Sequence, residues 1–311
     1  MNIHQMSLEE YKSNHQNDTL WDEVVVHLLN NENISYHSIK RFPMGGNIVY
    51  AINEDLVLKL FSPFDREEFV IETEVLEKTD WSKISVEVPS IVKQGSIGKW
   101  HFLIMTRVSG ELLIDVWEKL SLKEQLDIAT DVGVLIKQMH TLPVENYPHL
   151  NQTYFEWIST QKKQVTTHHS KTGLAPHLVE QLEKYVSTFV PSSEKVLLTG
   201  EYTPFNLLVN QAEGRWRVTG LIDFADCFIG EPSYDLLGPI LFNYYPTPEL
   251  TKNFLTAYGM ALTDSSRTYL MQLLLLHRFS HIPNYLDGHI DMKEVLTLEE
   301  LSSIFFSDQE S

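Results

Sequence analysis

The fold of this chain is decided by the stretch Val196-Leu-Leu-Thr-Gly-Glu-Tyr-Thr-Pro-Phe-Asn206-Leu-Leu-Val209. A short gap separates it from Gly220-Leu-Ile-Asp223-Phe-Ala-Asp226, and Gly230-Glu-Pro-Ser-Tyr-Asp235 follows. The first apolar strand presents the carboxylate of Glu201, an amide follows five residues later at Asn206, and a second apolar strand ends at Asp223.

These three side chains have the chemistry of a phosphoryl-transfer site. Kinase-like enzymes need a base for the acceptor hydroxyl, together with an Asn and an Asp that hold magnesium. The pattern therefore predicts Glu201 as the base, and Asn206 and Asp223 as metal ligands.

The three stretches resemble the aminoglycoside phosphotransferase and choline kinase group of small-molecule kinases. In that group the loop typically reads His-Gly-Asp, four residues, Asn, and the metal strand reads Ile-Asp before a Gly-Asp-Pro-x-x-Asp segment. The resemblance covers roughly residues 40–245 and implies an α+β fold. The implied fold is bilobal and protein-kinase-like, with a small mixed β-sheet N-lobe and a mainly helical C-lobe. The matching positions in this chain are Gly200, Asn206, Ile222, Asp223, Gly230, Pro232 and Asp235.

Three positions depart from the group's pattern: Thr199 stands for His, Glu201 for the base Asp, and Glu231 for Asp. Aspartate and glutamate differ little in ordinary pKa, about 3.9 against about 4.3, so basicity is retained at residue 201. One methylene moves the carboxylate by up to about 1.5 Å, and a misplacement of about 1 Å can cost on the order of 10² in rate. The departures leave two hypotheses open, a working kinase and a pseudokinase that binds nucleotide without transferring phosphate.

The N-terminal half contains a glycine turn and a lysine inside an apolar strand. Gly45 and Gly46 interrupt two strand-like runs, and glycine lets backbone N–H groups approach phosphate oxygens. Lys59 lies in Val57-Leu-Lys-Leu-Phe61, where a charge among apolar residues needs a partner. The resemblance implies that Lys59 holds the nucleotide phosphates and pairs with an acid on the next helix; Glu72 is favoured over Glu74.

A third segment, Trp100-His-Phe-Leu-Ile-Met105-Thr-Arg-Val-Ser-Gly110, resembles the strand and hinge that join the two lobes in the group. Its backbone near Met105 is expected to hydrogen-bond an adenine or guanine edge. The same residues also fit a buried strand that ends in a turn.

Hydrophobic periodicity predicts the division of the chain into two lobes, residues 1–106 and 107–311. The resemblance implies that the first is the nucleotide-binding lobe and that the second carries the catalytic loop and the acceptor site. Capping boxes begin at Ser7 and Ser121. We expect strands at 36–42, 47–52, 56–61, 90–94, 101–106, 206–210 and 216–222, and helices at 7–31, 66–79, 111–119, 121–142, 153–165, 175–190, 234–242, 247–261 and 264–280.

Composition limits the possible partners. The 311 residues include 24 Lys and Arg against 42 Asp and Glu, and the net charge of −18 argues against binding to nucleic acid or anionic membranes. This charge suits a cationic acceptor, although solubility alone also explains it. The single cysteine, Cys227, rules out an intramolecular disulfide. The N-terminal sequence lacks the signal-peptide progression, so we expect a cytoplasmic protein.

Several other residues have two interpretations. The resemblance implies that Asp235 braces the catalytic loop, and the residue could equally cap a helix at 236–242, since the two roles do not exclude each other. His277 and His281 have i, i+4 spacing suited to a metal, but a structural or solvent-facing pair is favoured. His168 and His169 are expected in a polar surface loop.

The sequence therefore favours a magnesium-dependent enzyme that moves the γ-phosphoryl group of ATP or GTP to a hydroxyl of an aminoglycoside-like molecule or another amino alcohol. The pseudokinase remains the alternative, and transfer of a nucleotidyl group is a further possibility that no residue selects.

Overall fold

The computed structural model describes residues 3, 6–145, 147–150, 154–286 and 289–307. The chain folds into two compact units. The first unit comprises Met1–Thr79, Glu87–Ser109 and Leu221–Asp226; the second comprises Asp80–Val86, Gly110–Gly220 and Cys227–Ser311.

The first unit is built on a five-stranded sheet with the order β1-β2-β3-β5-β4, in which every pairing is antiparallel. Two N-terminal helices cover the sheet, and their buried side chains, including Trp21, form one apolar core with Trp100 and the strands. The elements are α1 (Leu8–Asn14), α2 (Asp18–Asn31), β1 (Ile39–Phe42), β2 (Ile48–Ile52), β3 (Leu56–Phe61), α3 (Arg66–Lys78), β4 (Ile91–Ile97) and β5 (Trp100–Thr106).

The single helix expected at 7–31 is two helices, and this prediction was wrong. Ser7 and Glu10 form the predicted capping box on α1. A second cap interrupts the helical run, because the Asn17 side chain accepts a hydrogen bond from the Leu20 N–H and starts α2. Asparagine competes with the helix for backbone hydrogen bonds, so it favours such a boundary.

The second unit is mainly helical, with two small sheets, β6-β8-β9 and β10-β7. Its strands are β6 (Glu111–Leu112), β7 (Val196–Leu198), β8 (Leu207–Ala212), β9 (Arg215–Leu221, whose last residue belongs to the first unit) and β10 (Phe228–Gly230). Its helices are α4 (Leu113–Val116), α5 (Leu122–Met139), α6 (Tyr154–Lys171), α7 (Pro176–Val179), α8 (Leu182–Ser187), α9 (Leu237–Pro239), α10 (Pro248–Tyr258), α11 (Asp264–Leu276), α12 (Ile282–Leu286) and α13 (Leu298–Phe305).

Helices α5 and α10 cross with their backbones in close approach at Gly133. A Cβ atom on this residue would lie 2.6 Å from the Phe254 carbonyl oxygen and 2.9 Å from the Ala257 Cβ. Glycine is therefore required at the crossing by the lack of space.

Three predicted helices are shorter or broken. The run expected at 111–119 contains β6, α4 and a 3₁₀ turn, the run at 175–190 divides into α7 and α8, and 234–242 combines 3₁₀, α and π turns. The helix expected at 153–165 instead extends to Lys171 as α6, and residue 153 lies outside the described residues. His168 and His169 therefore belong to a helix rather than to a surface loop; His169 is fully buried and its Nε2 donates to the Leu275 carbonyl.

The α+β fold with a small sheet-based N-lobe and a helical C-lobe is confirmed, except that the sheet is antiparallel rather than mixed. The compact units differ from the expected division after residue 106 in three segments, of which residues 107–109 belong to the first unit. Leu221–Asp226 belongs to the first unit, where the Leu221 N–H donates to the Glu87 carbonyl, and Asp80–Val86 belongs to the second, where Ser85 bonds to Gln138. None of the helices in the described part of the chain has the length and apolar content needed to span a membrane.

Candidate active site

The turn between β1 and β2 carries Gly45 and Gly46. Gly45 has a φ of +105°, which disfavours a side chain, and a Cβ on either glycine would find no atom within 4 Å. Next to them, the Asn47 Nδ2 donates to Glu68 Oε2 at 2.7 Å. The turn is thus open on the glycine side and joined to α3 through Asn47.

Lys59 lies in the middle of β3, paired with Val49 of β2 and Leu103 of β5, and it is buried. Its Nζ atom is 2.7 Å from Glu72 Oε2 and 2.8 Å from Asp223 Oδ1. Glu74 instead pairs with Lys78. The predicted choice of Glu72 over Glu74 as the partner of Lys59 is confirmed.

The electrostatics of this cluster follow from burial and charge together. Burial disfavours the charged form of Lys59, but Asp223 and Glu72 more than offset it and raise the pKa of the lysine. Burial also raises the pKa of Glu72, whereas the Lys59 charge outweighs burial at Asp223 and lowers the pKa of that carboxyl. Lys59 and Asp223 are therefore both charged at neutral pH.

Asp223 is held in a special backbone conformation at the end of β9. Its φ is +67°, in the left-handed region, where a non-glycine residue costs on the order of 1–3 kcal/mol and which recurs at functional sites. The Ala225 N–H approaches Asp223 Oδ1 at 3.4 Å, and the Phe224 N–H approaches Glu72 Oε1 at 3.4 Å. The Asp223 side chain is 43% exposed, and Oδ1 is the oxygen that faces Lys59.

The second unit holds the loop that follows β7, and Asp235 braces it. The Asp235 carboxylate accepts from the Thr199 N–H at 3.1 Å and from the Gly200 N–H at 2.9 Å. Gly200 has a φ of +75°, so glycine permits the turn that brings both N–H groups to one carboxylate. The bracing interpretation of Asp235 is confirmed; the residue lies within a 3₁₀ turn, Pro232–Leu236, rather than at the cap of a helix.

The sequence did not predict how Asp235 is held: His140 contacts its carboxylate, and Tyr258 contacts His140. The His140 Nε2 lies 3.2 Å from Asp235 Oδ2, and the His140 Nδ1 lies 3.0 Å from the Tyr258 hydroxyl. His140 ends α5 and Tyr258 ends α10. The only sequence signal was a histidine that ends an amphipathic helix, which does not identify its partner.

Glu201 and Asn206 lie together in the loop. The Asn206 Nδ2 donates to the Glu201 carbonyl at 3.2 Å and is 3.5 Å from Glu201 Oε2. Thr199 stands where the family pattern has a histidine. Its hydroxyl oxygen lies 3.4 Å from the Glu201 backbone nitrogen. The Asn206 amide is thereby oriented with its nitrogen toward Glu201, and its oxygen remains the atom suited to a cation.

Glu231, the third departure from the group's pattern, is 1% exposed. Its Oε2 accepts a 2.6 Å hydrogen bond from the Tyr269 hydroxyl of α11, which itself accepts from the Ser192 N–H at 3.0 Å. Burial raises the pKa of Glu231 to about 7, although the Tyr269 bond acts in the opposite direction.

Met105, the residue expected near the nucleotide base, is buried in β5 between Val57 and Ile91. The N–H groups of the two residues that follow it donate to the Ser90 and Asp55 carbonyls, at 2.9 and 2.8 Å. The backbone just after Met105 is therefore fixed by the neighbouring segments of the first unit.

The histidine pair shows no metal-binding arrangement. His277 ends α11 and stacks on Tyr234 with ring centroids 4.3 Å apart, and His281 lies beyond the helix end. In the residues that the structure describes, no group of three or more His, Cys, Asp or Glu side chains is arranged to hold a metal.

The predicted site residues thus form two groups. Gly45, Gly46, Lys59, Glu72, Met105 and Asp223 belong to the first unit, and Glu201 and Asn206 to the second.

Known proteins share this architecture. The family model described as the phosphotransferase enzyme family, APH, matches residues 38–269. Among solved structures, the ternary complex of APH(2")-IIa with streptomycin and ATP is 19% identical with a TM-score of 0.62, covering 91% of this chain and 97% of that one. The GDP complex of aminoglycoside 2'-phosphotransferase-IIIa is 18% identical with a TM-score of 0.64, covering 90% and 97%.

One solved structure that is named for a different class of substrate has the same TM-score as the streptomycin complex. The macrolide 2'-phosphotransferase MphH from Brachybacterium faecium is 16% identical with a TM-score of 0.62, covering 93% of this chain and 99% of that one. These likenesses establish the fold, and the family match spans most of the chain. The chain therefore belongs to the phosphotransferase enzyme family.

Proposed function

We propose that this protein is a magnesium-dependent kinase that transfers the γ-phosphoryl group of ATP or GTP to a hydroxyl group of a small molecule. Residues 1–106 would form the nucleotide lobe, and residues 107–311 would carry the catalytic loop and the acceptor site. Because its co-substrates are nucleoside triphosphates, we expect it to act in the cytoplasm.

The observation that carries the proposal is the ion-pair cluster in which the buried Lys59 contacts the buried Glu72 and the partly exposed Asp223. In protein kinases a strand lysine pairs with a helix glutamate, and both this pair and the metal-binding Asp must be in place for activity. Here the Lys59 Nζ lies 2.7 Å from Glu72 and 2.8 Å from Asp223. Lys59 would neutralise the α- and β-phosphates, Glu72 would fix its position, and Gly45 and Gly46 would let the turn approach the phosphates.

Asp223 and Asn206 each have the donor chemistry that magnesium takes. This ion prefers oxygen ligands and is commonly bound by one or two protein groups together with substrate phosphates. Asp223 offers Oδ2, because Oδ1 lies against Lys59, and Asn206 offers its amide oxygen, because its nitrogen bonds to Glu201. When held by Asp223 and Asn206, magnesium would supply positive charge that offsets the negative charge of the phosphates.

Glu201 would accept the proton of the acceptor hydroxyl. Its loop is held by the Asp235 carboxylate, which bonds to the two N–H groups just before it. Asn206 approaches both the carbonyl and the carboxylate of Glu201, so the longer side chain is held within the loop. A preorganised glutamate supports catalysis, because phosphoryl transfer depends mainly on positioning and charge.

The acceptor is proposed to be aminoglycoside-like or another amino alcohol. The solved relatives bear names of aminoglycoside and macrolide phosphotransferases, and these molecules offer hydroxyl groups. The net charge of −18 suits a cationic acceptor. The backbone near Met105 would contact the nucleotide base through groups other than the Thr106 and Arg107 N–H groups, which are bonded within the first unit.

A pseudokinase is the competing function, favoured by the replacement of the usual His and Asp with Thr199 and Glu201. Both functions predict nucleotide binding, so turnover must separate them.

The test compares wild type with Glu201→Gln, Glu201→Asp and Asp223→Ala, using Glu183→Gln, an exposed carboxyl, as the matched control. Nucleotide binding would be measured by calorimetry with ATP and GTP, each with and without magnesium, and turnover with a panel of hydroxylated amines. We expect Glu201→Gln to lower turnover by at least about 100-fold while binding persists. Glu201→Asp should lower it by about 100-fold, because the shorter side chain no longer reaches.

Binding that Asp223→Ala weakens, without turnover of any acceptor or of water, would support the pseudokinase. A wild-type protein that binds neither nucleotide would refute both functions.

A further inference from the structure

The N-terminal helix α1 bonds directly to the glycine turn. The Tyr11 hydroxyl donates to the Gly46 carbonyl at 2.7 Å, and the His15 Nε2 lies 3.1 Å from the same oxygen. The Gln16 side chain donates to the Pro43 carbonyl at 3.3 Å. Three hydrogen-bonding side chains thus join the end of α1 to a turn some 30 residues further along the chain.

The hydrogen on the His15 ring is placed by its neighbour. The Gln16 Nε2, a donor only, lies 3.4 Å from the His15 Nδ1, which therefore accepts. In the neutral ring the other nitrogen, Nε2, then carries the hydrogen and donates to the Gly46 carbonyl. A carbonyl oxygen has two lone pairs, so it can accept from Tyr11 and His15 together.

The Tyr11 side chain is fixed by its surroundings. It is buried, with its ring edge-on to Trp21 and Trp100 at centroid distances of 6.0 and 5.4 Å. Burial is the main reason why the pKa of Tyr11 is raised, so its hydroxyl keeps its proton and remains a donor. A rigid donor defines the position of the carbonyl that it meets.

The end of α1 is itself anchored to the sheet. Arg41 of β1 donates to the His15 carbonyl and pairs with Asp18 at 2.5 Å. The Trp21 Nε1 donates to the Asn14 carbonyl at 2.9 Å. The helix and the strand that enters the turn are therefore one rigid support.

The geometry of the peptide bond gives this support a consequence. In a planar trans peptide the C=O of one residue and the N–H of the next point in opposite directions. Because the Gly46 carbonyl is held toward α1, the N–H of Asn47 points away from α1. The Asn47 side chain is held as well, by Glu68 of α3 at 2.7 Å.

We infer that Tyr11 and His15 are positioning residues that orient the Gly46–Asn47 peptide, so that its N–H is available to a phosphate oxygen of the nucleotide. The inference rests on the proposed function for its ligand, whereas the support of the turn by α1 can be measured without any ligand. Glycine gives the turn room for phosphate, and α1 removes the conformational freedom that glycine would otherwise bring.

The test uses Tyr11→Phe, which keeps the ring and removes only the hydroxyl, and His15→Ala. The control is Tyr50→Phe, because Tyr50 is also buried in this unit but its hydroxyl donates to Asp22 rather than to the turn. Amide hydrogen exchange of peptides covering residues 43–48 reports the support in the free protein. Calorimetry with the magnesium complex of a non-hydrolysable ATP or GTP analogue reports the binding.

We expect Tyr11→Phe to speed exchange in the turn and to raise the Kd of the analogue about five-fold, the effect of one ordinary hydrogen bond. The two substitutions together should raise it more than either alone, and Tyr50→Phe should change neither exchange nor Kd. Exchange at 43–48 that stays at the wild-type rate in Tyr11→Phe and His15→Ala would overturn the inference. So would faster exchange with an unchanged Kd, whereas a wild type that binds no nucleotide would instead refute the proposed function.

Discussion

The buried carboxyl of Glu231 makes the stability of the protein depend on pH in a way that one substitution should remove. Its pKa is raised from the ordinary 4.5 to about 7, chiefly by burial. A shift of this size corresponds to about 3 kcal/mol between the protonated and ionised forms, at 1.36 kcal/mol for each pH unit.

The sign follows from proton binding. Between pH 4.5 and 7 the folded protein holds a proton on Glu231 that the unfolded chain has already lost. The stabilisation is complete below pH 4.5 and is lost as the pH rises through 7. Between pH 5 and 8, the contribution of Glu231 to the free energy of unfolding should fall by about 2.5 kcal/mol.

The perturbation is Glu231→Gln, which cannot ionise and still offers an oxygen to the Tyr269 hydroxyl. The free energy of unfolding would be measured by urea denaturation from pH 5 to 8. From pH 5 to pH 8, the free energy of unfolding of the variant should rise by about 2.5 kcal/mol relative to that of wild type. Glu183→Gln, at an exposed position, is the control and should show no such trend.

A second variant tests the assigned partner. Tyr269→Phe removes the hydrogen bond that lowers the pKa of Glu231, so the transition should move to higher pH. If the stability difference between Glu231→Gln and wild type is the same at pH 5 and pH 8, the reasoning is refuted.

Three further outcomes are expected. Lys59→Met should lower the free energy of unfolding by about 3–5 kcal/mol, because Glu72 is left as an unpaired buried charge. Adding Glu72→Gln should recover part of this loss, as measured by urea titration. Asp235→Asn keeps only one acceptor oxygen for two backbone N–H groups, so kinase turnover in a coupled assay should fall by about 100-fold. Unchanged turnover would contradict the bracing role of Asp235. Burial lowers the pKa of His169 to about 4, so the folded protein keeps this ring neutral where the unfolded chain protonates it. The contribution of His169 to the free energy of unfolding is present above pH 6.5 and should fall by about 3 kcal/mol as the pH drops to 4. His169→Gln should abolish this loss in urea unfolding measured across the same pH range.

Local patterns predicted the parts of the site that local physics determines. The apolar run Val57–Phe61 located the strand that carries Lys59, and the resemblance to the family helix favoured Glu72 over Glu74 as its partner. The capping boxes at Ser7 and Ser121 formed as expected, because each needs only four consecutive residues.

The contacts that hold the site come from distant parts of the chain and were not predictable. His140 meets Asp235 across 95 residues, and Tyr11 meets Gly46 across 35. Neither pair has a spacing or a motif, because tertiary packing alone brings these helices to their partners. The same limit explains His169, whose polar neighbours suggested a surface although the helix turns this side chain inward.

The close crossing of α5 and α10 has a consequence for how substitutions act at a distance. Gly133 lies seven residues, about 10 Å of helix, before His140, and Phe254 lies four residues before Tyr258. Alanine normally stabilises a helix by about 1 kcal/mol over glycine, yet here its methyl group would meet the Phe254 carbonyl at 2.6 Å. Separating the helices would also separate the His140 ring from the Tyr258 hydroxyl, and through Asp235 would loosen the backbone before Glu201. A methyl group far from any reacting atom would thus reduce activity without contacting nucleotide or acceptor, so the mutational sensitivity of this protein should extend along the helix pair rather than around the site alone.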